Sequence, residues 1–343
     1  MKAVVYTGPQ EFTVSEISTP GPGPGEVRLR VLLTGVCGTD VHLHDGEFGP
    51  VYPLTPGHEV VGEVESLGSD VNGLELGQRV VFDNMTACGT CYECQRARPA
   101  FCLHLKAKGV YEAGGAAEFL IVTAAKCFPV GDLDPELAIL AEPTACAMHG
   151  MDRLDLRPGS EVLLLGAGPT ALILTQLLRS GGAGRVTVAA PTQFKLDIAA
   201  KLGADRTFIL DRRDPEANVN GLMQLAPAGF DVVVDATGSV EVLSFSLQLL
   251  AIGGTLFIYG VTGEQDVLPM RPYDVFRREL TIKGSFSQAF SFDRGVQALL
   301  SGRVRSDGII THHFPLDHYG EAIDAVRNDR SCLKAVIDPR RER

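Results

Sequence analysis

Apolar residues along the chain fall into short runs, and the character of these runs changes near residue 160. Before that point the runs are rich in β-branched residues and are separated by Gly and Pro; they read EVRLRVLL (26–33), EVVGEVESLG (59–68), RVVF (79–82) and AAEFLIVTAA (116–125). Such runs predict short strands joined by turns. Residues 135–150, which have Pro135 near the start, predict a helix.

From residue 160 onward, apolar strands alternate with helical segments. The predicted strands read EVLLLGAG (161–168), RVTVAA (185–190), TFIL (207–210), FDVVVDATG (230–238), GTLFIYG (254–260) and LTIKGSF (280–286). Helices are predicted at 169–180, at 193–202 and near 240–250, and two more follow residue 286 around the strands 309–316 and 333–338. This alternation is typical of a doubly wound parallel sheet. The predicted fold class is therefore α/β, with a β-rich part and a doubly wound part.

A glycine motif at the first of these strands predicts a dinucleotide site of the Rossmann type. Gly166, Gly168 and Ala171 form a G-x-G-x-x-A pattern that follows a strand and opens a helix. The first glycine permits a tight turn, the second lets the pyrophosphate approach the backbone, and the small third residue allows close packing. The phosphates would then lie at the helix start, near Pro169 and Thr170. The alternative is that the motif serves packing alone.

The second strand of the doubly wound part indicates which dinucleotide binds. An NAD site usually has an acidic residue at the end of this strand, about twenty residues after the glycines. Here the chain reads Ala190, Pro191, Thr192, Gln193, with Lys195 close behind. The missing acid removes a repulsion, and Lys195 adds a cation that a 2′-phosphate would attract. We therefore expect NADP; the alternative is that NAD binds without the acid and that Lys195 is a solvated helix residue.

Charge and hydropathy exclude several other classes of partner. The net charge is −11 and the calculated pI is near 5.2, which argues against a nucleic-acid partner and against a polybasic membrane anchor. The first residues lack the apolar segment of a secretory signal. The most apolar run, at 161–178, is interrupted by glycines and a proline and is too short to span a bilayer. We expect a cytoplasmic protein with a small-molecule substrate.

Four of the eight cysteines lie in the segment 88–102, which raises three alternatives: a disulfide knot, a redox motif and a metal site. They are Cys88, Cys91, Cys94 and Cys102, at spacings of three, three and eight. A reducing cytosol disfavours disulfides, and the short spacings suit sulfurs that converge on one tetrahedral ion. Zinc is the expected metal, with an iron–sulfur cluster as the alternative. Because all four ligands would be sulfur, the site would be closed and structural.

Other ligand types occur in the β-rich part and just after it. GVCGTDVH supplies Cys37, Thr39, Asp40 and His42, PGHEVVGEV supplies His58 and Glu59, and AEPTACAMHG supplies Glu142. With these residues, the 3-3-8 cysteine spacing, GAGP, DATGS and the terminal FPL, EAI and KAVI segments in order, the chain resembles the zinc-containing medium-chain alcohol and polyol dehydrogenases along nearly its whole length. Alone, each of these residues would be read as structural.

The resemblance implies a domain arrangement and a second zinc. A GroES-like catalytic domain would comprise residues 1–149 and 286–343, the Rossmann domain would comprise 150–285, and the active site would lie in the cleft. Cys37, His58 and Glu59 would bind the catalytic zinc, with Glu142 as a further ligand, direct or through water. Thr39 would take the alcohol proton, His42 would pass it to solvent through the cofactor ribose, and Asp40 would orient a ligand. Two zinc ions per chain follow.

The resemblance also places three strand ends around the nicotinamide; their residues are Thr237, Gly260, Val261, Ser285 and Phe286. Glu142 stands where polyol dehydrogenases have a glutamate, whereas Ser287 and Gln288 replace the Arg-Tyr pair of sorbitol dehydrogenases. The chain looks more like NADP-dependent D-arabinitol dehydrogenases, so we expect a polyol or secondary-alcohol dehydrogenase, with D-arabinitol or a related pentitol first. The alternatives are a threonine 3-dehydrogenase, an NAD-dependent sorbitol or xylitol dehydrogenase, and a non-catalytic NADP-binding relative. Family analogy implies a homotetramer or homodimer.

Overall fold

The computed structural model describes residues 1–341, which group into two compact units. The first unit contains Met1–Ala145, Ala289–Gly302 and the chain from Gly308 onward. The second contains Cys146–Gln288 together with Arg303–Asp307. These bounds differ from the expected domain bounds by a few residues and by the transfer of the short segment 303–307. The catalytic and cofactor roles of the two units stay predictions at this stage.

The first unit is rich in short strands, as the alternating runs predict. Its strands are β1 Lys2–Gly8, β2 Glu11–Glu16, β3 Glu26–Val36, β4 Glu59–Leu67, β5 Arg79–Phe82, β6 Met85–Thr86, β7 Lys106–Ala107, β8 Phe119–Thr123, β9 Cys127–Pro129, β16 Ile310–Pro315 and β17 Lys334–Asp338. Seven of them form one sheet in the order β16-β17-β3-β4-β5-β9, with β8 paired to β3. Its helices are α1 Gly38–His44, α2 Pro135–Ala138, the start of α3 Ala141–Leu154, α9 Phe292–Leu300 and α10 Tyr319–Asn328.

The second unit is a six-stranded parallel sheet with helices between its strands. The strands are β10 Glu161–Leu165, β11 Arg185–Ala190, β12 Arg206–Ile209, β13 Phe230–Asp235, β14 Leu250–Ile258 and β15 Thr281–Gly284. The helices are α4 Pro169–Ser180, α5 Gln193–Lys201, α6 Pro215–Leu225, α7 Val240–Leu249 and α8 Pro272–Arg278. The strand order β12-β11-β10-β13-β14-β15 reverses direction between β10 and β13, where doubly wound folds bind dinucleotides. The α/β prediction is therefore confirmed.

One helical prediction needs correction, and three helices, α1, α6 and α8, were not predicted. Residues 135–150 belong to two helices, since α2 ends at Ala138 and α3 begins at Ala141, and the two residues between them, Ile139 and Leu140, are buried in the core. Helix α6 was not predicted, since Asn218, Asn220 and Gly221 are poor helix formers. The Phe208 ring fills the space beside Gly221, where a Cβ would lie 2.7 Å from it. Packing therefore overrides local propensity in α6. Among the helices of residues 1–341, none combines the length and apolarity needed to cross a membrane.

Candidate metal and cofactor sites

The four clustered cysteines converge in the structure. Their sulfur atoms all lie within 4.8 Å of one another. The Cys88 and Cys94 sulfurs are 3.9 Å apart, as are those of Cys91 and Cys102. A zinc tetrahedron with Zn–S bonds of about 2.3 Å has an edge of about 3.8 Å, so the cage fits zinc. The loop forms two short 3-10 turns, at Cys94–Arg96 and Pro99–Phe101, that set these spacings.

Backbone amides of this loop already point at the sulfurs. The Cys91 amide donates to the Cys88 sulfur at 3.3 Å, and the Cys88 amide donates to the Cys102 sulfur at 3.2 Å. Hydrogen bonds from the Thr90 hydroxyl and amide and from the Cys91 amide lower the pKa of Cys88 to about 5. Burial and the neighbouring thiols raise the pKa of Cys94 to about 12. The loop therefore stabilises the thiolate of Cys88, the ligand form that zinc needs, whereas the metal-free loop favours the protonated thiol of Cys94.

A second cluster of ligand atoms forms where β3, β4 and β17 meet. The ligand atoms of Cys37, His58 and Glu59 all lie within 4.8 Å of one another. Strand pairing explains this convergence, because Glu59 is opposite Gly35 on the neighbouring strand β3, two residues before Cys37. His58 and Glu59 are almost completely buried, at 4% and 0% exposed. The structure therefore brings together three of the four residues expected at the catalytic zinc.

Two glycines make this convergence sterically permissible. A Cβ at Gly35 would lie 2.1 Å from the Glu59 carboxylate, so any side chain there would displace the ligand. Gly57, which precedes His58, has φ +95°, and a Cβ there would meet the Thr34 side chain at 2.6 Å. Both positions therefore require glycine, the second for its left-handed backbone as well.

Two buried charges surround the mixed cluster. Asp40 is 2% exposed, accepts the Cys37 amide at 2.9 Å, and places a carboxylate oxygen 3.6 Å from the His58 Nδ1. Burial alone would lower the pKa of His58, but the Asp40 carboxylate and the Cys37 thiol outweigh it and raise that pKa. Lys334, 3% exposed, forms an ion pair with the Glu59 carboxylate. The two buried carboxylates, Asp40 and Glu59, thus favour a proton or a metal cation at this cluster.

Zinc fits this cluster chemically. Sulfur, imidazole nitrogen and carboxylate oxygen are its usual ligands, and three protein ligands leave a position open for catalysis. The Glu59 Oε1 is buried without a hydrogen-bond partner among residues 1–341, which a metal would satisfy. Sequence reasoning overlooked Lys334; a lysine at the start of the apolar strand KAVID was the available signal. Glu142 lies in the first turn of α3 and is not a member of this close group.

The residues expected to move the alcohol proton lie on the short helix α1. Thr39 and His42 are three positions apart, so their side chains share a helix face. The Thr39 hydroxyl is 4.0 Å from the Cys37 sulfur, which places it beside the mixed cluster. His42 is partly exposed and its Nδ1 lies 2.5 Å from the Glu47 carboxylate.

The predicted phosphate-binding turn has the expected form. Gly166 has φ +110°, and a Cβ there would approach the Ala236 carbonyl oxygen to 3.0 Å. Gly168 caps α4, and a Cβ there would meet no protein atom within 4 Å, so the space over the helix start is open. Pro169 and Thr170 form the first turn of α4, and Ala171 packs inward at 2% exposed. A dinucleotide phosphate fits this open helix start.

The other predicted nicotinamide residues follow neighbouring strands at the same sheet edge. Thr237 follows β13, Gly260 and Val261 follow β14, and Ser285 and Phe286 follow β15. The buried Asp235 accepts the Thr237 hydroxyl at 2.5 Å and its amide at 3.0 Å, which folds the loop after β13. A Cβ at Gly260 would lie 2.2 Å from the Gly238 nitrogen, so these two loops touch through backbone. The prediction from DATG (235–238) did not include this role of Asp235 in folding the loop.

The predicted 2′-phosphate residues lie at the end of β11. Ala190 ends the strand and is 2% exposed, and Thr192 caps α5. The Lys195 ammonium lies 5.7 Å from the centroid of the Phe194 ring. Gln193 donates from its amide to Asp197 at 2.8 Å, so its side chain is turned along the helix. The structure therefore brings Thr192 and Lys195 to this end of the sheet and engages Gln193 elsewhere on α5.

Comparison with known proteins identifies the family. Residues 23–132 match the alcohol dehydrogenase GroES-like domain, and residues 169–301 match the zinc-binding dehydrogenase domain. D-arabinitol dehydrogenase 1 of Uromyces fabae is 43% identical over 340 residues, covering 99% of this chain and 97% of that protein. D-altritol 5-dehydrogenase of Agrobacterium fabrum is 32% identical over 343 residues, covering 97% and 98%.

A solved structure agrees with these matches. It is described as a zinc-binding dehydrogenase from Sinorhizobium meliloti 1021 bound to NADP, and it superposes with a TM-score of 0.92 at 33% identity, covering 98% of this chain and 99% of that one. The family resemblance in the motifs is thus confirmed by sequence and by fold. The chain belongs to the zinc-binding alcohol dehydrogenases with a GroES-like domain, a family of oxidoreductases.

Proposed function

We propose that the protein is a zinc- and NADP-dependent polyol dehydrogenase whose substrate is D-arabinitol or a related pentitol. The observation that carries the proposal is the cluster of half-buried Cys37 with buried His58 and Glu59, which supplies three zinc-ligand types, in a chain 43% identical to a D-arabinitol dehydrogenase. Burying charged groups such as Glu59, Asp40 and Lys334 costs free energy, and this cost argues against a non-catalytic relative. We propose two zinc ions per chain, one in each cluster.

The roles of the protein groups follow from their positions. Cys37, His58 and Glu59 would hold zinc, with Glu142 as a further ligand, and a bound zinc supplies Lewis-acid polarisation of the alcohol oxygen. The Asp40 carboxylate lies 3.6 Å from the His58 Nδ1 and would orient the imidazole ring for a bound metal. Thr39 presents a hydroxyl beside Cys37 that takes the alcohol proton, and His42 passes the proton toward water. Lys334 offsets the charge of Glu59.

The cofactor roles rest on the second unit. The turn at Gly166 and Gly168 and the start of α4, with Pro169 and Thr170, would hold the pyrophosphate. NADP⁺ held there would supply the acceptor for the hydride of the alcohol carbon. Thr237, Gly260, Val261, Ser285 and Phe286 would border the nicotinamide. The apolar end of β11 at Ala190, with Thr192, Gln193 and Lys195, would admit a 2′-phosphate because no carboxylate opposes it there.

The test measures formation of reduced nicotinamide by purified protein with D-arabinitol, xylitol, sorbitol or L-threonine, each with NADP⁺ and NAD⁺. We expect the highest kcat/KM with D-arabinitol and NADP⁺. Lys195→Ala should raise the KM for NADP⁺ and leave the KM for NAD⁺ unchanged, and Lys201→Ala, at the other end of α5, is the matched control. A preference for NAD⁺ would overturn the NADP assignment, and fastest turnover of L-threonine would overturn the polyol assignment.

We also propose a cytoplasmic homotetramer or homodimer. Its support is the edge strand β15, where Thr281, Ile282 and Gly284 are exposed and the outer backbone of the six-stranded sheet is open to pairing. Light scattering after size-exclusion chromatography measures the mass, and a monomer at micromolar concentration would contradict the proposal. Microscopy of a fluorescent fusion tests the location.

A further inference from the structure

The segment that follows α1 turns back sharply onto the helix it leaves. The Glu47 amide donates to the His42 carbonyl oxygen at 2.9 Å. Gly46 and Gly49 have φ +83° and +63°, and Phe48 between them has φ +62°. A bulky non-glycine residue in the left-handed region costs free energy and persists only where its surroundings hold it. Residues 46–49 therefore adopt one specific turn conformation that their surroundings hold in place.

This turn places two side chains on the His42 ring. The Glu47 Oε2 lies 2.5 Å from His42 Nδ1, and the Phe48 ring centroid lies 4.8 Å from that of the imidazole. The histidine side chain is 36% exposed and that of Glu47 is 58% exposed, so both reach water. An ionised carboxylate only accepts hydrogen bonds, so Nδ1 must carry the hydrogen when His42 is neutral. The Nε2 is then the unprotonated nitrogen.

We infer that Glu47 is a positioning residue for proton transfer: it selects the tautomer of His42 in which Nε2 can accept a proton. The inference rests on the proposed function for its catalytic meaning. One proton arrives at Nε2 and gives an imidazolium that faces the Glu47 carboxylate. One proton then leaves Nε2 for water, so the ring returns to its neutral form with Nδ1 still protonated. Phe48 restricts rotation of the ring meanwhile.

The tautomer can be measured without any substrate. Nitrogen-15 NMR of histidine-labelled protein at alkaline pH distinguishes the two neutral forms, and His42→Asn assigns the signal. We expect the Nδ1–H form in the wild type and a shift toward the Nε2–H form in Glu47→Ala. Glu47→Gln should give a mixture of the two forms, because its side-chain amide can either accept from Nδ1 or donate to it. Asp45→Ala is the matched control. The Asp45 carboxylate accepts a hydrogen bond from Arg327 at 2.6 Å and is not the partner of the His42 ring.

Kinetics then connect the tautomer to catalysis. Glu47→Ala should lower kcat for alcohol oxidation roughly 10-fold, a part of the 100-fold or more that a positioned proton-transfer group contributes, and should leave KM within about twofold. Its solvent isotope effect on kcat should rise, and the kcat of Glu47→Gln should lie between those of the wild type and Glu47→Ala. An unchanged tautomer in Glu47→Ala overturns the inference. If the wild type oxidises no polyol but the tautomer still changes in Glu47→Ala, the proposed function is overturned. The positioning of His42 by Glu47 then still holds.

Discussion

The two ligand clusters of this protein are built in opposite ways. The four-cysteine cluster lies within one loop, its cysteines are mostly half-buried, and its supporting hydrogen bonds come from backbone amides of the same loop. The mixed cluster draws on β3, β4 and β17, and its supporting groups are buried charges, Asp40 from the neighbouring helix α1 and Lys334 from the far end of the chain. The first cluster is therefore formed by local backbone structure, and the second is formed by tertiary packing.

This contrast predicts a structural role for the four-cysteine cluster and a catalytic role for the mixed cluster. A local loop with four sulfurs gains a closed coordination shell, and losing its metal should affect mainly the loop. A pocket with three ligands and compensating buried charges holds its shape through the sheet, so its metal position can stay open for chemistry. Variants of the mixed cluster should accordingly change catalytic activity, and variants of the four-cysteine cluster should change mainly the stability of the loop.

The largest expected difference is in catalysis. Cys37→Ser should lower kcat/KM for the alcohol by at least about 10³-fold, because the Lewis acid supplies several kcal/mol of charge stabilisation. Cys94→Ser should retain most activity at low temperature. Both variants should contain about one zinc ion per chain, measured by mass spectrometry of the metal, against about two in the wild type. Cys127→Ala, outside both clusters, controls for loss of a thiol. Equal loss of activity in the two zinc variants would remove the functional distinction.

The next largest effect concerns the buried ion pair. Lys334→Met should destabilise the metal-free protein by about 3–5 kcal/mol, because it leaves the Glu59 carboxylate buried without a countercharge. Lys2→Met, which breaks the exposed pair with Asp317, should cost at most about 1 kcal/mol. Urea unfolding measures both. Added zinc should restore part of the loss in Lys334→Met, and a loss no larger than that of Lys2→Met would show that Glu59 does not depend on Lys334.

The same contrast explains what could be predicted from the sequence. The four-cysteine cage follows from spacing alone, since all its ligands lie within fifteen residues, from Cys88 to Cys102. The Gly166 turn and the parallel sheet follow equally well from local motif and apolar alternation. The group of Cys37, His58 and Glu59 followed only from family resemblance, because its members meet through the pairing of Gly35 with Glu59.

The sequence could not predict which side chains are brought together by tertiary packing. Lys334 reaches Glu59 because β17 pairs with β3, Ala335 opposite Val36, and no local pattern encodes that register. Glu47 reaches His42 through a turn in which Phe48 adopts a left-handed conformation that its residue type disfavours. Helix α6 forms against Phe208 despite Asn and Gly within it. In each case the decisive contact is long-range or strained, and periodicity carries no signal of either.

A smaller effect concerns the residue that orients His58. Asp40→Asn should weaken zinc binding at the mixed cluster about 10–100-fold, because the carboxylate holds the histidine ring and increases its basicity. The raised pKa of His58 means that protons compete with zinc until the pH rises above that pKa, so the affinity is compared at alkaline pH. Competition with a chromophoric chelator gives the constant. Wild-type affinity in Asp40→Asn would show that the fold orients His58 without the carboxylate.

The smallest expected effect is at the corresponding position of the four-cysteine loop. Thr90 donates its hydroxyl to the Cys88 sulfur at 3.6 Å from an exposed position. Thr90→Val keeps the side-chain shape and removes one hydrogen bond worth about 1 kcal/mol, so zinc affinity should fall only about fivefold. The two backbone amides that point at Cys88 and Cys102 remain in the variant, since no side-chain substitution removes them. The same chelator competition measures the constant. A loss as large as that in Asp40→Asn would mean that the loop depends on a single side chain, and that its stability does not come from the local backbone as the comparison of the two clusters requires.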